Sequence, residues 1–570
     1  MKGRYYFILL VLMLVCFTLK GNVLEVGPGK AFANPLLASG VAMPGDTILI
    51  YPNTYTGGYF ISNLNGTPTA PICFIGTDAS TVIFQGNNQA FQFSEVSYLT
   101  IENITVRGQT GNGINIDDAG SFETPSHHIA IKNCRFLDMN ASGNNDLLKL
   151  SGIDDFSIEG CLFRNGSSGG SGIDMVGCHY GIIIANNFEN LGSNSIQAKG
   201  GTQYLEIRRN KFKNGGQRTL NLGGSTGLAF FRPQNATFEA ADIDVFANVI
   251  IGSTAAVAFV GCVRVNVINN TIINPSNWII RILQETVDIN RFLPCGDNVV
   301  KNNTIYYGNL STHVNVGSNT APTTFIFSNN LWYRHTNPGN STPNLPVTET
   351  DAVIGQNPQF IDLQNENFGL MITSPAIDQG DITLIHNDFT NLPRPLGLGF
   401  DIGAYEKEAP TILSIEGNRE VCYQSDTQFY SIKSLFSHHF DVEVAGGTLL
   451  NWLSTDTFIY IKWDTISPSH YMQITAYSSL NVVGNTLNIP IVLTSGDSIS
   501  WVGNGGFWTN RNAWSRYTLP QVCHDVFINA QNVSITIPEG QIIKIRSLNC
   551  QMNNLINLMQ NSRLEILNLD

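Results

Sequence analysis

The segment 195–224, SIQAKGGTQYLEIRRNKFKNGGQRTLNLGG, reads as one full turn of a coil followed by the first strand of the next. Ile196 and Ala198 alternate with Gln197 and Lys199, the period-two pattern of a strand with one dry face and one wet face. Gly200 and Gly201 break that strand. Tyr204 to Ile207 read as a second strand, Lys211-Phe212 as a short third, and after the corner Asn214-Gly215-Gly216 the first strand returns as TLNL at 219–222. A corner followed by a buried residue recurs along the chain as NITV, NCRF, GCLF, NNF, NKF, NVI, NTI, NTI and NLW. The last residues of these motifs are Val106, Phe136, Phe163, Phe188, Phe212, Ile250, Ile272, Ile305 and Trp332, so the steps run from 22 to 38 residues. A coil of this period with occasional loop insertions predicts an all-β chain, a right-handed three-sided parallel β-helix in which stacked turns share one core. A leucine-rich repeat has a similar period, but its LxxLxL signature is absent. Asparagine suits the corners because it tolerates left-handed backbone and can hydrogen-bond to its copy in the next coil.

With 570 residues the chain is too long for one ordinary core, and two to four domains are expected. Only 13% of residues are charged and 53 are glycine, which suits a strand-rich body with many corners. The net charge of −13 argues against nucleic acid as a partner, and it means that an anionic substrate needs a local basic patch. At the start, Lys2 and Arg4 precede an apolar run from Tyr6 to Leu19 that is short for a membrane span. Residues 1–21 therefore read as a signal peptide, and Val15 is not the small residue expected before a lipidated cysteine at Cys16. With no later apolar run of sufficient length, the mature chain is expected to lack a membrane span and to be secreted or held at the cell surface as a monomer. The nine cysteines beyond Cys16 are odd in number and show no CxxC spacing, which defines neither a zinc site nor a disulfide framework. Cys134 and Cys161 fall at equivalent places in successive coils and read as stacked core residues. His127-His128 reads as a solvated loop, and Asp117-Asp118 and Asp154-Asp155 as corner residues ahead of calcium ligands.

The repeat gives a register: INID at 114–117, LKLS at 148–151, IDMV at 173–176, IQAK at 196–199, LNLG at 220–223, VAFV at 257–260 and IRIL at 280–283. Every inward position is apolar, which is the check on the alignment. One outward column runs Asn115, Lys149, Asp174, Gln197, Asn221, Ala258, Arg281, and the next includes Lys199. Coils stack about 4.8 Å apart, which puts Asp174, Lys199, Asn221 and Arg281 on one wall. Arg218 precedes this strand and Gln284-Glu285 follow it. The longest insertion, 223–241, leaves the same strand and brings Arg232 and Glu239. Loops of that length are more often functional than idle. The result is a groove with both signs of charge and a row of hydrogen-bonding groups suited to sugar hydroxyls.

Segments 26–30 and 42–57 resemble the opening of exported right-handed parallel β-helix proteins, with a cap over the solenoid end. The segments NPQF at 357–360, SPAID at 374–378 and DIGAYE at 401–406 resemble their closing segment, which bounds the β-helix at 22–406. Residues 411–496 resemble a PKD-like β-sandwich, usually a spacer or a carbohydrate contact. Residues 497–570 resemble the start of a further, partial all-β module.

Segment 194–225 resembles the catalytic strip of the polysaccharide lyases that include chondroitinase B and alginate lyases. Lys199 matches the family's base, and Gln217, Thr219, Leu220 and Leu222 match the motif that follows it. Gly223 stands where the family has an arginine, and Gln197 and Asn194 stand near where it has a calcium-binding glutamate. The resemblance implies an acidic polysaccharide as partner, β-elimination as chemistry and calcium as a possible cofactor. Charge builds on the uronate carboxylate in that transition state, so a cation must meet it, here Arg281 or Arg218. Lys199 takes the C5 proton, which it does only as the free amine. Two alternatives stay open. A glycoside hydrolase would pair Asp174 with Glu239 or Glu285, about 5–10 Å apart. Lys149, Gln197, Asn221, Arg232, Glu239, Gln284 and Glu285 are the candidate substrate contacts, and the second alternative is a non-catalytic binder or adhesin, which the appended β-modules also suit.

Overall fold

The computed structural model describes residues 21–407, 410–423, 427–464, 467–478 and 483–567. All but the last residue of the expected signal peptide lies outside these. The chain is all-β, and three parallel sheets of 12, 10 and 12 strands wind around one core. Through the middle of the solenoid each turn gives one strand to each sheet, as in Asn194–Lys199, Thr202–Arg208 and Lys211–Lys213. In the ten-stranded sheet Ile114, Leu148, Ile173, Ile196, Leu220, Val257 and Ile280 are successive partners, the register that alternation predicts. The third sheet links Val106, Phe136, Phe163, Phe188, Phe212, Ile250, Ile272, Ile305 and Trp332 in the same way. Within it the rings of Phe136, Phe163, Phe188 and Phe212 stack at 4.8 Å, one strand spacing apart.

The corner asparagines divide into two adjacent columns with different work. Asn103, Asn133, Asn269, Asn302 and Asn329 hold the left-handed backbone. The residue after each is buried. From Asn186 onward, Asn210, Asn248, Asn270, Asn303 and Asn330 each accept the backbone N–H of the preceding coil, at 2.8–3.0 Å. Cys134 and Cys161 begin that same ladder: the Cys161 N–H donates to Asn186 Oδ1 at 2.8 Å, and the Cys134 N–H to Cys161 Sγ at 3.4 Å. His127 and His128 lie in the strand Ser126–Lys132, not in a loop, and the ring of His128 stacks on Tyr98 at 4.4 Å.

At the N-terminal end the short helix Pro35–Ser39 packs on the first strands of the solenoid and buries Ala38. Residues 357–406 do not continue the coil. They run back along its flank, where Asn269 Nδ2 donates to the Asp401 carbonyl at 2.8 Å and the Ala404 N–H donates to Thr271 Oγ1 at 3.0 Å. A buried Arg394–Glu406 ion pair of 2.6 Å holds this flank segment together.

Two compact units divide close to residue 406. The second begins with antiparallel sheets of four and three strands that fit a sandwich. Its tail is all-β as well, and its strands run in parallel. Asp525–Ile528 pairs in parallel with Ser547–Cys550, Ser534–Ile537 with Leu555–Leu558, and Ile542–Ile545 with Arg563–Ile566, which makes a short second parallel coil. A disulfide joins Cys422 of the sandwich to Cys523 of the tail, a pairing across 101 residues that spacing alone does not reveal. No helix among the described residues is long and apolar enough to cross a membrane.

Candidate functional site

The outward column of the ten-stranded sheet carries two ion-paired clusters. In the first, Asp174 lies between two lysines: Lys149 Nζ is 2.8 Å from Oδ2 and Lys199 Nζ is 3.1 Å from Oδ1. The Lys199 contact is close but poorly aligned, so the buried Oδ1 has no hydrogen-bond donor. A fourth member, Asp146, arrives from the loop before strand Leu148–Ser151. It is 3.5 Å from Lys149 and accepts the Ser171 N–H at 2.8 Å. Burial, then the charge of Asp174, raises the Asp146 pKa to about 6. Burial works against the Lys149 ammonium, but Asp174 and Asp146 outweigh it and hold its pKa above the usual lysine value. The order of layers matters. The carboxylates of Asp174 and Asp146 are 1% and 0% exposed, whereas the side chains of Lys149 and Lys199 are 27% and 14% exposed and lie over them.

Lys149 and Lys199 form part of the floor of a cleft of about 450 Å³, with Asp118 and Phe122 on one side and Thr226 and Phe230 on the other. The insertion 223–241 makes that second side. It crosses close to the corner glycines: a Cβ on Gly200, where φ is +65°, would lie 2.8 Å from Val176 Cγ1 and 3.1 Å from Thr226 Cγ2. Burial, the largest influence on Asp118, raises the pKa of this carboxyl above the ordinary aspartate value.

The second cluster lies further along the wall. Arg218 donates to Asn221 Oδ1 at 3.0 Å and pairs with Glu285 at 2.7 Å. Arg281 lies over the Trp278 ring, 4.4 Å from its centre, and donates to Asn315 Oδ1 at 3.1 Å. Burial first, and then the charge of Arg218, lowers the Arg281 pKa. No carboxylate among the described residues forms a salt bridge with Arg281. Its strand is three pairings from that of Lys199, about 14 Å along the wall. Asp174, Lys199, Asn221 and Arg281 thus share a wall as the register predicts, but they belong to two clusters.

Three residues expected to touch substrate make contacts that hold the fold, and one of them, Arg232, also lines the cleft. Glu239 is fully buried: its carboxylate accepts the N–H groups of Gly200 and Thr226, both at 2.9 Å, and the hydroxyls of Thr226 and Thr286 at 2.7 and 2.5 Å. Arg232 forks onto Asp154 at 2.7 and 2.6 Å and donates to the Gly177 carbonyl at 3.0 Å, which fastens the insertion to the solenoid. Gln284 accepts the Cys295 N–H at 2.8 Å and donates to the Thr286 carbonyl at 2.9 Å, shaping its own loop. Gln197 stays on the wall and accepts from Asn194 at 3.4 Å. Asp146 and the cleft position of Asp118 escaped sequence reasoning because both come from corners, outside the alternating pattern. At Asp174 the surroundings do not fit calcium, because two ammonium groups, at 2.8 and 3.1 Å, already occupy its carboxylate, and Asn194 and Gln197 are neutral.

Fold and site together define a three-sided parallel β-helix with a lysine-floored cleft beneath a long insertion. No family model matches the chain, and no curated protein sequence matches it. Among solved structures it is similar in fold to pectate lyase Pel9A, at 15% identity and a TM-score of 0.43 over 68% of this chain and 96% of that one. It is likewise similar to the PL6 family alginate lyase AlyGC, at 12% identity and a TM-score of 0.39 over 95% and 75% of the two chains. A rhamnogalacturonan lyase gives 13% identity and a TM-score of 0.32 over 64% and 95%.

Proposed function

We propose that this protein acts on an acidic, uronate-containing polysaccharide by β-elimination or C5 epimerisation, in the cleft beneath the 223–241 insertion. The observation that carries this reading is the layering of the first cluster. Two ammonium groups face the cleft and their carboxylate partners lie beneath them. A carboxylated sugar meets cations first. A glycoside hydrolase needs two accessible carboxylates, and the burial of Asp174 and Glu239 opposes that alternative.

In the proposed reaction Lys149 meets the uronate carboxylate and stabilises the charge that builds there as the C5–H bond breaks. The Lys199–Asp174 ion pair opens, the Lys199 ammonium gives one proton to solvent, and the resulting amine takes the C5 proton. In elimination the C4–O bond then breaks, the C4–C5 double bond forms, and a proton from solvent goes to the departing oxygen. In epimerisation a proton returns to C5 from the other face. The Arg218–Arg281 cluster holds a neighbouring sugar, with Arg281 free to take its carboxylate. The reading includes export directed by residues 1–21 and a PKD-like spacer at 411–496.

The test is a screen of the mature chain against acidic polysaccharides, with and without calcium, following the ultraviolet absorbance of unsaturated product and NMR for inverted C5. Lys199→Ala removes product, and Lys149→Ala lowers kcat and kcat/KM. Binding of acidic glycans with no product from any of them replaces this reading by the binder, which the closed Lys199–Asp174 pair favours.

A further inference from the structure

The outward face of the first twelve-stranded sheet holds a second groove, unrelated to the lysine cleft. Two adjoining hollows of about 640 and 630 Å³ share Glu206, Asp244 and Asn266 and so form one open channel across several coils. Segment 382–387 of the flank builds one bank. Tyr204 lines the other end, and Tyr180 stacks on it from the preceding coil, with ring centres 5.0 Å apart and planes 11° from parallel. These two rings are 56% and 45% exposed, although they are among the largest apolar groups on the sheet. Single exposed aromatics need no explanation, but a stacked pair beside a polar channel offers its outer face and ring edges as a platform.

The cations of this channel are each paired with a carboxylate, while Asp244 and Asp297 have no cation of their own among the described residues. Arg264 forks onto Asp242 at 2.7 and 2.8 Å, and Arg208 pairs with Glu206 at 3.0 Å. Asn266 donates to Asp244 at 2.8 Å, and Lys301 pairs with Asp381 at 2.5 Å. Each cation here therefore has its own carboxylate, in contrast to Arg281 on the other wall. An acidic chain gains no unmatched cation from such a surface. A neutral chain gains an aromatic face for its C–H surface, while the spare lone pairs and N–H groups of the ion pairs meet its hydroxyls.

We propose that this channel, from the Tyr180–Tyr204 platform to the 382–387 bank, binds a neutral polysaccharide and is a separate site from the lysine cleft. The test is affinity electrophoresis of the mature protein in gels containing xylan, mixed-linkage β-glucan or galactomannan, for wild type, Tyr180→Ala/Tyr204→Ala and Lys199→Ala. At least one of the three polysaccharides retards wild type and Lys199→Ala equally. The double tyrosine variant loses about tenfold or more in affinity, the scale of a lost aromatic contact, and keeps the thermal melt of wild type because both rings are exposed. Added pectate leaves the retardation unchanged. Three results overturn the proposal: no retardation by any neutral polysaccharide, equal retardation of the double variant, or displacement by pectate. None of these bears on uronate chemistry at Lys199, which the product screen decides independently.

Discussion

Glu239→Gln separates a structural carboxylate from a chemical one. The Glu239 carboxylate receives four donors, two backbone N–H groups from Gly200 and Thr226 and two hydroxyls from Thr226 and Thr286. Each oxygen takes one of each kind. In glutamine one of these oxygens becomes an NH₂ group. A threonine hydroxyl can rotate and accept from it, but a backbone N–H cannot. Whichever way the amide turns, the N–H of Gly200 or of Thr226 is left buried without an acceptor. That orphan costs about 1–3 kcal/mol, and the bonds that remain lose their ionic assistance, for a total of about 3 kcal/mol. The loss falls on the insertion, because coils of a solenoid are stabilised mainly by their immediate neighbours. Hydrogen exchange followed by mass spectrometry is the assay. Peptides covering 222–239 exchange about 100-fold faster in the variant, as about 3 kcal/mol implies, while peptides covering 183–190 keep their protection. Unchanged exchange across the insertion together with lost turnover refutes the argument and returns Glu239 to the reaction.

Two further substitutions test the electrostatics. Asp146 has a folded-state pKa of about 6, against about 3.9 when unfolded, so the folded state holds its proton more tightly. Stability from this group is fully present below about pH 4 and is lost as pH rises through 6, by about 3 kcal/mol. Asp146→Asn keeps an acceptor for the Ser171 N–H and removes that slope, which urea midpoints measured between pH 4 and 7 report; an unaltered slope counts against the assignment. Asp154 behaves in the opposite sense. Burial raises its pKa, but the bonds from Arg232 pull it down to about 2, so its contribution is present above about pH 4 and is lost as pH falls towards 2, about 2.5 kcal/mol in all. Asp154→Asn weakens the clamp, and thermolysin then cuts near Phe230 and Phe231 faster at neutral pH; an unchanged cutting rate removes Arg232 from its anchoring role.

What could be read from the sequence follows from the period of the strands. A slip of one residue turns every side chain to the other face, so six successive apolar pairs such as Ile196–Leu220 admit a single alignment. The same rule placed Lys149, Asp174 and Arg281 on the wall. It says nothing of residues that leave the strand. Glu239 and Arg232 carry charges that look functional in a loop, yet the loop folds them into the scaffold, where Asp154 and the Gly200 N–H wait for them. Asp146 was invisible for a related reason: it belongs to a corner, and only the stacking of the next coil brings Ser171 and Asp174 to it. The tail shows the limit of periodicity itself. Its turns repeat only far enough to pair Asp525–Ile528 with Ser547–Cys550 and their counterparts, too few for a period to stand out.

The length of the wall then bears on what it can do. A strand column reports which residues face the same way, not how far apart they work. At about 4.8 Å per coil, Arg281 is too distant to neutralise the carboxylate of the sugar that Lys199 attacks, so one uronate cannot use both. Lys149, one pairing from Asp174, is the cation in reach. If both clusters are used, they hold different sugars of one chain. Oligosaccharides long enough to span Lys199 and Arg281 should then lose affinity on Arg281→Ala, while the shortest substrates should not, and equal losses for short and long chains would show that the two clusters do not read one bound polymer.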